Sequence, residues 1–564
     1  MSFYGATSSI MLCLVVLSII VTAVLGCNSA LHRYPPPVTS VSQGHLRGTW
    51  VNTRGGRSVA AFLGVPYATP PIGSLRFKTA VELKPWMGVY DAGSDGPACI
   101  QRSLSAKIPL MPTTYGSEDC LYLNLFSPNI TPEAKLPVAV FIHGGYFEVG
   151  ASKSFLYGPQ YLLDEDIVLV TVNYRLGILG FLSLDDPALP GNLGLKDQRA
   201  ALRWLRDNLS QFGGDPQAVT LFGESAGAAS VHYHMKFTAH EGLFRAGICN
   251  SGSALAPWAL HQSSSQRALV ELVVKHTNCP QTPKQLLDCL RQLPSSQFQE
   301  LLHIAKRNDI SLQERVTMVG PVVEVEGVTD PLVTQHPWNL TTHLPFLLGS
   351  NEMEGLFWLV DIEKDKSDKK FEKLSLNYST ILPFNLHFDN TQDPSRMAAK
   401  LRQFYFNKGN IDRKHFSKLV DLFSDALFNY DLVQSARHSK GKTYFYQMNY
   451  RGSNSVVNLL GSKSRYGVSH FDEMFYLFPI GGLLLRNETA SDILLSKQLV
   501  KMWTNFIKYL DPTPKGLPVK WESVSSPDIE YLNIGQDGFR MEKGFLKDRV
   551  NFWESLLSNE LKLN

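Results

Sequence analysis

Four short apolar runs, at residues 138–142, 167–172, 219–222 and 345–349, limit what this chain can fold into more than any other feature. Each is of strand length and lacks the polar alternation of a strand wet on one face. A strand apolar on both sides must be covered on both sides, which is the condition of a parallel sheet lying between helices. Between the second and third runs, Leu202, Leu205, Leu209 and Phe212 recur at helical spacing within residues 192–212, and Gly213-Gly214 supplies a stop. The pattern predicts a βαβ unit.

At 564 residues the chain exceeds the roughly 250 to 300 at which a single core stops growing, so it holds two domains or one large sheet with long insertions. Continuous β/α alternation, with no internal repeat or low-complexity tract, predicts one large α/β domain. The charged segment 363–373 reads as a solvated loop. With 44% hydrophobic and 19% charged residues the composition is that of an ordinary globular protein. A net charge of +3 and the lack of a Lys/Arg cluster interleaved with aromatics exclude nucleic acid as a partner.

Residues 10–25 are almost wholly apolar and are followed by Gly26, which predicts a secretory signal over 1–26 and an N-terminal segment over 27–43. No Lys or Arg precedes the run, and it is longer than the usual signal core of about 7 to 15 residues, so an uncleaved anchor is the alternative. The next longest apolar stretch, 475–485, is too short to span a bilayer and is broken by Pro479, Gly481 and Gly482. None of the seven cysteines has the tight paired spacing of a zinc site. Cys99 with Cys120, and Cys279 with Cys289, are close enough to close two short loops, each worth about 2 to 4 kcal/mol. Cys249, in an apolar segment, reads as a buried free thiol. Sequons at Asn129, Asn339, Asn377 and Asn487 fit a secreted glycoprotein, while Asn208 falls within the predicted helix.

The chemistry is carried by Gly223-Glu224-Ser225-Ala226-Gly227, directly after the run at 219–222 and before a small-residue, helix-compatible stretch. G-x-S-x-G in that context lifts a serine hydroxyl on a sharp strand-to-helix turn and aims the following N–H, that of Ala226, at a developing oxyanion. A second element, His143-Gly144-Gly145-Tyr146-Phe147, follows the run at 138–142. Its glycines let backbone N–H groups approach a substrate oxygen, and an HGG turn N-terminal to G-x-S-x-G is the arrangement of an α/β-hydrolase oxyanion loop. A metal-ligand role for His143 finds no partner at suitable spacing. In this fold an acid and then a histidine follow the serine, which excludes His143 but leaves many downstream histidines open. His232 and His234 follow the elbow too soon and, two apart on a helix, do not share a face.

Glu118-Asp119-Cys120-Leu121-Tyr122-Leu123-Asn124, together with the segment from Phe212 to Gly227, resembles the two signatures of the type-B carboxylesterase and cholinesterase family of α/β-hydrolases, and most of all its secreted arthropod carboxylesterases. The resemblance implies one α/β-hydrolase domain over 44–564, with a large, mostly parallel sheet and helices on both faces. It implies Glu354 as triad acid, with Glu352 as the rival, and His470 as base. It implies the N–H groups of Gly145, Tyr146 and Ala226 as the oxyanion hole, and the same two cysteine pairs. A small-molecule ester would be the partner, with no cofactor and no metal; the sequence carries no signal for an oligomeric state. A non-catalytic ligand-binding relative, a stoichiometric scavenger and a triacylglycerol lipase are the competing readings.

Two residues depart from the family pattern. Tyr146 stands where many relatives carry Gly or Ala, and Phe471 where a glycine commonly follows the histidine; each ring either lines the pocket or, for Phe471, packs behind His470. No tryptophan lies between Cys99 and Cys120, which disfavours choline esters. The elbow reads GESAG rather than the GQSAG of arthropod juvenile hormone esterases, which lowers that substrate without removing it. The C-terminal Glu560-Leu-Lys-Leu-Asn564 is no ER-retention signal, so export is expected.

Overall fold

A computed structural model describes residues 35–102, 114–306, 317–388, 391, 393–463, 466–480, 488–514 and 519–558. The apolar N-terminal run with Cys13 and Cys27, the sequon at Asn487, the C-terminal residues 559–564 and part of the segment between Cys99 and Cys120 lie outside the described residues.

Eleven strands form one sheet: β1 (Thr49–Asn52), β2 (Ser58–Pro66), β3 (Tyr122–Ser127), β4 (Leu136–Ile142), β5 (Val168–Val172), β6 (Gly214–Glu224), β7 (Ala246–Asn250), β8 (Phe346–Asn351), β9 (Thr443–Met448), β10 (Glu530–Gly535) and β11 (Gly538–Lys543). Across the sheet they run β11-β10-β9-β8-β7-β6-β4-β5-β3-β2-β1. The seven from β5 to β10 are parallel, and the pairs at both margins are antiparallel. The four apolar runs are the centres of β4, β5, β6 and β8. Their burial alternates between two cores rather than between core and water. Val138, Val140, Ile142, Val170, Leu221 and Leu348 face one core, and Ala139, Phe141, Leu169, Phe222 and Leu347 face the other.

Helices cover both faces. α1 (Leu193–Asn208) and α2 (Ala226–Phe237) pack Leu195, Leu202, Leu205, Val231 and Tyr233 on the first core, and α8 (Ala490–Tyr509) packs Leu499, Trp503 and Phe506 on the second. Between them in sequence come α3 (Leu356–Glu363), α4 (Lys369–Leu376), α5 (Pro394–Phe406), α6 (Phe416–Ser424) and α7 (Tyr430–Arg437), and α9 (Lys547–Leu557) follows β11. The predicted helix at 192–212 is α1 followed by a 3-10 turn over Leu209–Phe212, ended by Gly213 at φ 75°. The predicted loop at 363–373 is present over 364–368 but gives way to α4 at Lys369, because Phe371 and Leu374, three apart, share a buried stripe. Among the described residues no helix is long and apolar enough to cross a membrane.

Disulfides join Cys99 to Cys120 and Cys279 to Cys289, and Cys249 is a buried free thiol whose pKa is pushed up by burial. Asn129, Asn339 and Asn377 are exposed. Asn208 is buried, its amide oxygen accepting from the N–H and hydroxyl of Ser42.

The loop leaving β5 is tied to α1 by a buried ion pair. Arg175 donates from Nε and Nη2 to the two oxygens of Asp197 at 2.7 and 2.6 Å, and its backbone N–H adds a third bond at 3.1 Å. The side chains are 5% and 0% exposed, so removing one charge leaves the other desolvated and unpaired. Asp197→Ala is expected to lower stability by about 3 to 5 kcal/mol, read as a shift in the urea unfolding midpoint.

Candidate active site

Adjacent strands β4 and β6 carry the two glycine motifs at their C-terminal ends, and the chain's connections leave this point in opposite directions, to β5 on one side and to β7 on the other. Such a switch point opens a crevice above the strand ends. β6 stops at Glu224 and α2 begins at Ala226, so Ser225 makes the whole turn by itself, at φ 56° and ψ −123°. A non-glycine residue there stores about 1 to 3 kcal/mol, which neighbouring contacts must offset. The Ser225 N–H donates to Asn250 O at the end of β7, and the Ser225 carbonyl accepts from Ala229 in the first turn of α2, both at 2.9 Å. Gly227 is required by proximity: a methyl group on it would collide with the carbonyl oxygen of Ile142 on β4.

The loop after β4 lies directly over this elbow. A Cβ on Gly144 would stand 2.5 Å from Glu224 Oε2 and 2.9 Å from Ser225 Cβ, so only glycine fits. Gly145, Tyr146 and Phe147 follow at φ 110°, 63° and 62°. This tight coil is held by the Gly145 carbonyl, which accepts from the N–H groups of Glu148 and Val149, and by the Phe147 carbonyl, which accepts from Gly177. His143 is buried beneath it, stacked on Tyr174 at 4.6 Å. Burial pulls its pKa down to about 4 against the opposing effect of the Gly144 carbonyl, so at neutral pH the ring is uncharged and Nδ1–H can donate to that carbonyl at 2.8 Å. The Tyr174 hydroxyl donates to the His143 carbonyl at 2.8 Å.

Glu354 and His470, from the loops after β8 and β9, meet beside the elbow. Glu354 is fully buried. Its Oε1 accepts from the Asn351 N–H at 2.7 Å and the Ser251 hydroxyl at 2.5 Å, and its Oε2 lies 2.6 Å from His470 Nδ1. With Nδ1 so bound, Nε2 is the basic nitrogen, and it reaches Oε1 of Glu224, the residue next to Ser225, at 3.2 Å. Glu352 faces the other way and pairs with Arg451 at 3.0 Å. His232 and His234 are buried on α2, bonded to Ser253 and Gln198. Phe471 sits at φ 79°, a conformation that suits the glycine common in relatives, and its ring packs edge-on against Phe475.

Sequence reasoning missed several participants. Ser251, at φ 54° after β7, is the second donor to Glu354 Oε1. The His470 ring is enclosed by Phe428 at 4.7 Å, Trp358 at 5.1 Å and Phe357 at 5.9 Å, and Tyr146 lies against Phe357 and Trp358. Phe357 and Trp358 follow the acid by three and four residues, a hint available from the sequence; Phe428 gives none. Glu224 occupies the free position of G-x-S-x-G.

Four carboxyl groups share this dry region, those of Glu224, Glu354, Asp472 and Glu473, and burial pushes Asp472 up to about 7. Glu224 is pushed well above the ordinary carboxylate range by burial and then by the charge of Glu354. Glu473, whose Oε2 accepts from Asn351 Nδ2 at 2.5 Å, is pushed up to about 8 by burial and then by Glu354 and Glu224. Like charges buried together raise one another's pKa, which adds to the effect of burial on Glu224 and Glu473.

With this geometry in place, the comparisons are specific. The model of the carboxylesterase family matches residues 35–553. Juvenile hormone esterase of Tribolium castaneum is 32% identical over 94% of this chain and 96% of its own. Venom carboxylesterase-6 of Apis mellifera is also 32% identical over 94% and 96%. The crystal structure of juvenile hormone esterase from Manduca sexta, with OTFP covalently attached, matches with a TM-score of 0.81 at 29% identity, covering 93% of this chain and 100% of that one. Sheet, crevice and relatives together define a carboxylic ester hydrolase of the α/β-hydrolase fold. The chain belongs to the carboxylesterase family.

The buried Glu473 sets a sign for the pH dependence of stability. Its folded pKa of about 8 lies above the ordinary 4.5, so the folded state keeps a proton that the unfolded chain loses. That contribution is complete below the unfolded value and is lost as pH rises towards the folded one. Asp472 and Glu224, also raised by burial, contribute with the same sign, so Glu473→Gln, which keeps an acceptor for Asn351, is expected to lessen the decline in urea midpoint over that interval without abolishing it. An equally steep decline in the variant would contradict the assignment.

Proposed function

We propose that the chain is a secreted serine carboxylesterase acting on lipophilic esters, of hormone-like, pheromone or xenobiotic type, through a Ser225-Glu354-His470 triad. The observation that carries this is the 2.6 Å contact of His470 Nδ1 with Glu354, beside a serine held at positive φ on the turn from β6 to α2. His470 Nε2 takes the Ser225 proton as Oγ attacks the ester carbonyl, and the new C–O bond pushes an electron pair onto the carbonyl oxygen. That oxyanion receives the N–H groups of Gly145, Tyr146 and Ala226, each worth about 3 to 4 kcal/mol in comparable sites. Collapse expels the alcohol, which takes the proton from His470. Water then attacks the acyl-enzyme by the same route, releasing the acid and restoring Ser225. Glu354 holds the imidazole in the required tautomer and offsets its positive charge.

The rings of Tyr146, Phe357, Trp358 and Phe428 around the base favour an apolar substrate. Among the names juvenile hormone esterase and venom carboxylesterase-6, both esterases, only the first specifies a substrate, so the class is kept broad. Secretion is supported by the N-terminal apolar run, two disulfides and the exposed sequons at Asn129, Asn339 and Asn377. The continuous sheet supports one catalytic domain over 44–564.

Ser225→Ala is expected to abolish hydrolysis of p-nitrophenyl esters while leaving the thermal unfolding transition in place; substantial residual turnover would sink the triad. Tyr146→Gly removes a ring but no N–H, and is expected to extend the range of acyl chains accepted. An unchanged chain-length profile would show that Tyr146 does not narrow the site.

A further inference from the structure

α6 and α7 would be one continuous helix but for the five residues between them. Asp425–Asn429 form a π-helical turn, which departs from the hydrogen-bond ladder on either side. π turns are rare and recur at functional sites, because the extra residue re-aims the side chains that follow.

What holds this turn lies on its far side. The buried carboxylate of Asp425 accepts from the Tyr405 hydroxyl of α5 at 2.6 Å and from Asn429 Nδ2 at 2.9 Å. It also accepts the guanidinium fork of Arg549 from α9, with Nε at 2.5 Å and Nη2 on the second oxygen. Arg549 reaches Asp421 on α6 as well, at 3.0 Å, so one arginine near the C-terminus spans the junction between α6 and the turn. Trp553, one turn further along α9, donates to the Tyr405 hydroxyl at 2.8 Å.

What the turn displays on its near side is the active site. Phe428 is 1% exposed and lies against the His470 ring and, at 5.1 Å, against Trp358. The carbonyl of Leu427 accepts from Trp258 Nε1 at 2.7 Å. At the end of α6, the Ser424 hydroxyl accepts from the N–H of Gly355, the residue after Glu354, at 2.9 Å. The same few residues therefore touch the imidazole on one side, the backbone of the acid on another, and the ion pair on the third.

We propose that the Arg549–Asp425 ion pair is a remote positioning device: by fixing the π turn it seats Phe428 against His470 and Trp358, and so sets which acyl groups the enzyme accepts. The proposal rests on the reading of His470 as the base. A salt bridge of purely structural importance would change stability and leave the acyl profile alone. A positioning role changes the profile, and does so only through Phe428.

The experiment uses the full chain, with active sites counted by covalent labelling with a fluorophosphonate so that rates are per folded site. Arg549→Met leaves a buried carboxylate unpaired, so the principal variant is Arg549→Met with Asp425→Asn, which removes both charges at nearly constant volume. Arg549→Lys, keeping charge but not the fork, is the milder test. For p-nitrophenyl acetate, butyrate and hexanoate, the ratio of kcat/KM between long and short acyl groups is expected to shift by about tenfold in the charge-free pair. It should shift in the same direction and by less in Arg549→Lys. Phe428→Leu should reproduce the shift, and adding it to the charge-free pair should bring no further change, the non-additivity expected of residues acting in series. Ratios within about twofold of wild type, or shifts that simply multiply in the combined variant, would overturn the proposal. A wild-type chain that takes no label and turns over no ester would remove the reading of His470, and the proposal with it. A labelled, active wild type with unchanged ratios in the variants removes the proposal alone.

Discussion

A parallel sheet that is dry on both faces can offer solvent only its ends. That constraint governs the rest of this molecule. With Val140 and Phe141 of β4 committed to opposite cores, and β6 to β9 packed between helices, polar chemistry has to gather where the strands stop. All the parallel strands stop on the same side, so the loops after β4, β6, β8 and β9 bring the His143-Gly144-Gly145 turn, Ser225, Glu354 and His470 to one end of the sheet from positions 143, 225, 354 and 470. The separation in sequence is large because long insertions hang between strands, yet the crevice needs only the strand ends.

The crevice is also where the backbone is most unusual. Gly145, Tyr146, Phe147, Ser225, Ser251 and Phe471 all lie at positive φ, and five of the six are not glycine. Each such residue costs of the order of 1 to 3 kcal/mol. A two-sided core of this size, two disulfides and the buried Arg175–Asp197 pair can carry that load. The strain and the buried carboxyl groups of Glu224 and Glu473 sit together, next to the hydrogen bond between His470 and Glu354.

Much of this was legible in the residues. The apolar runs mark β4, β5, β6 and β8 because burial on both faces leaves no polar alternation, and the glycines at 144 and 227 mark close approach because a side chain there would collide. Glu354 and His470 came from resemblance, since nothing in spacing alone distinguishes one downstream carboxylate or histidine from another. The loop expected over 363–373 holds for 364–368, but the helix from Lys369 onward is masked in the sequence by its lysines, because only Phe371 and the following Leu374 mark its buried stripe. Glu224 is legible only as a member of the elbow motif, and Ser251 and Phe428 carry no signal in the sequence. Their roles depend on what lies across a loop or a helix junction, and a π turn leaves no periodic trace in five residues.

Gly144 gives the site two halves of different character. Because the glycine loop after β4 rests on Glu224 and Ser225 with no room for a methyl group, neither loop can shift without carrying the other. Phe357, Trp358 and Phe428 instead come from side chains on α3 and the π turn, where a ring can be exchanged or rotated without disturbing the peptide that bears it. One wall of the crevice is therefore a fixed die and the other a set of replaceable inserts. A lineage of such proteins can change the molecules it handles by drift in the second wall while the first stays untouched.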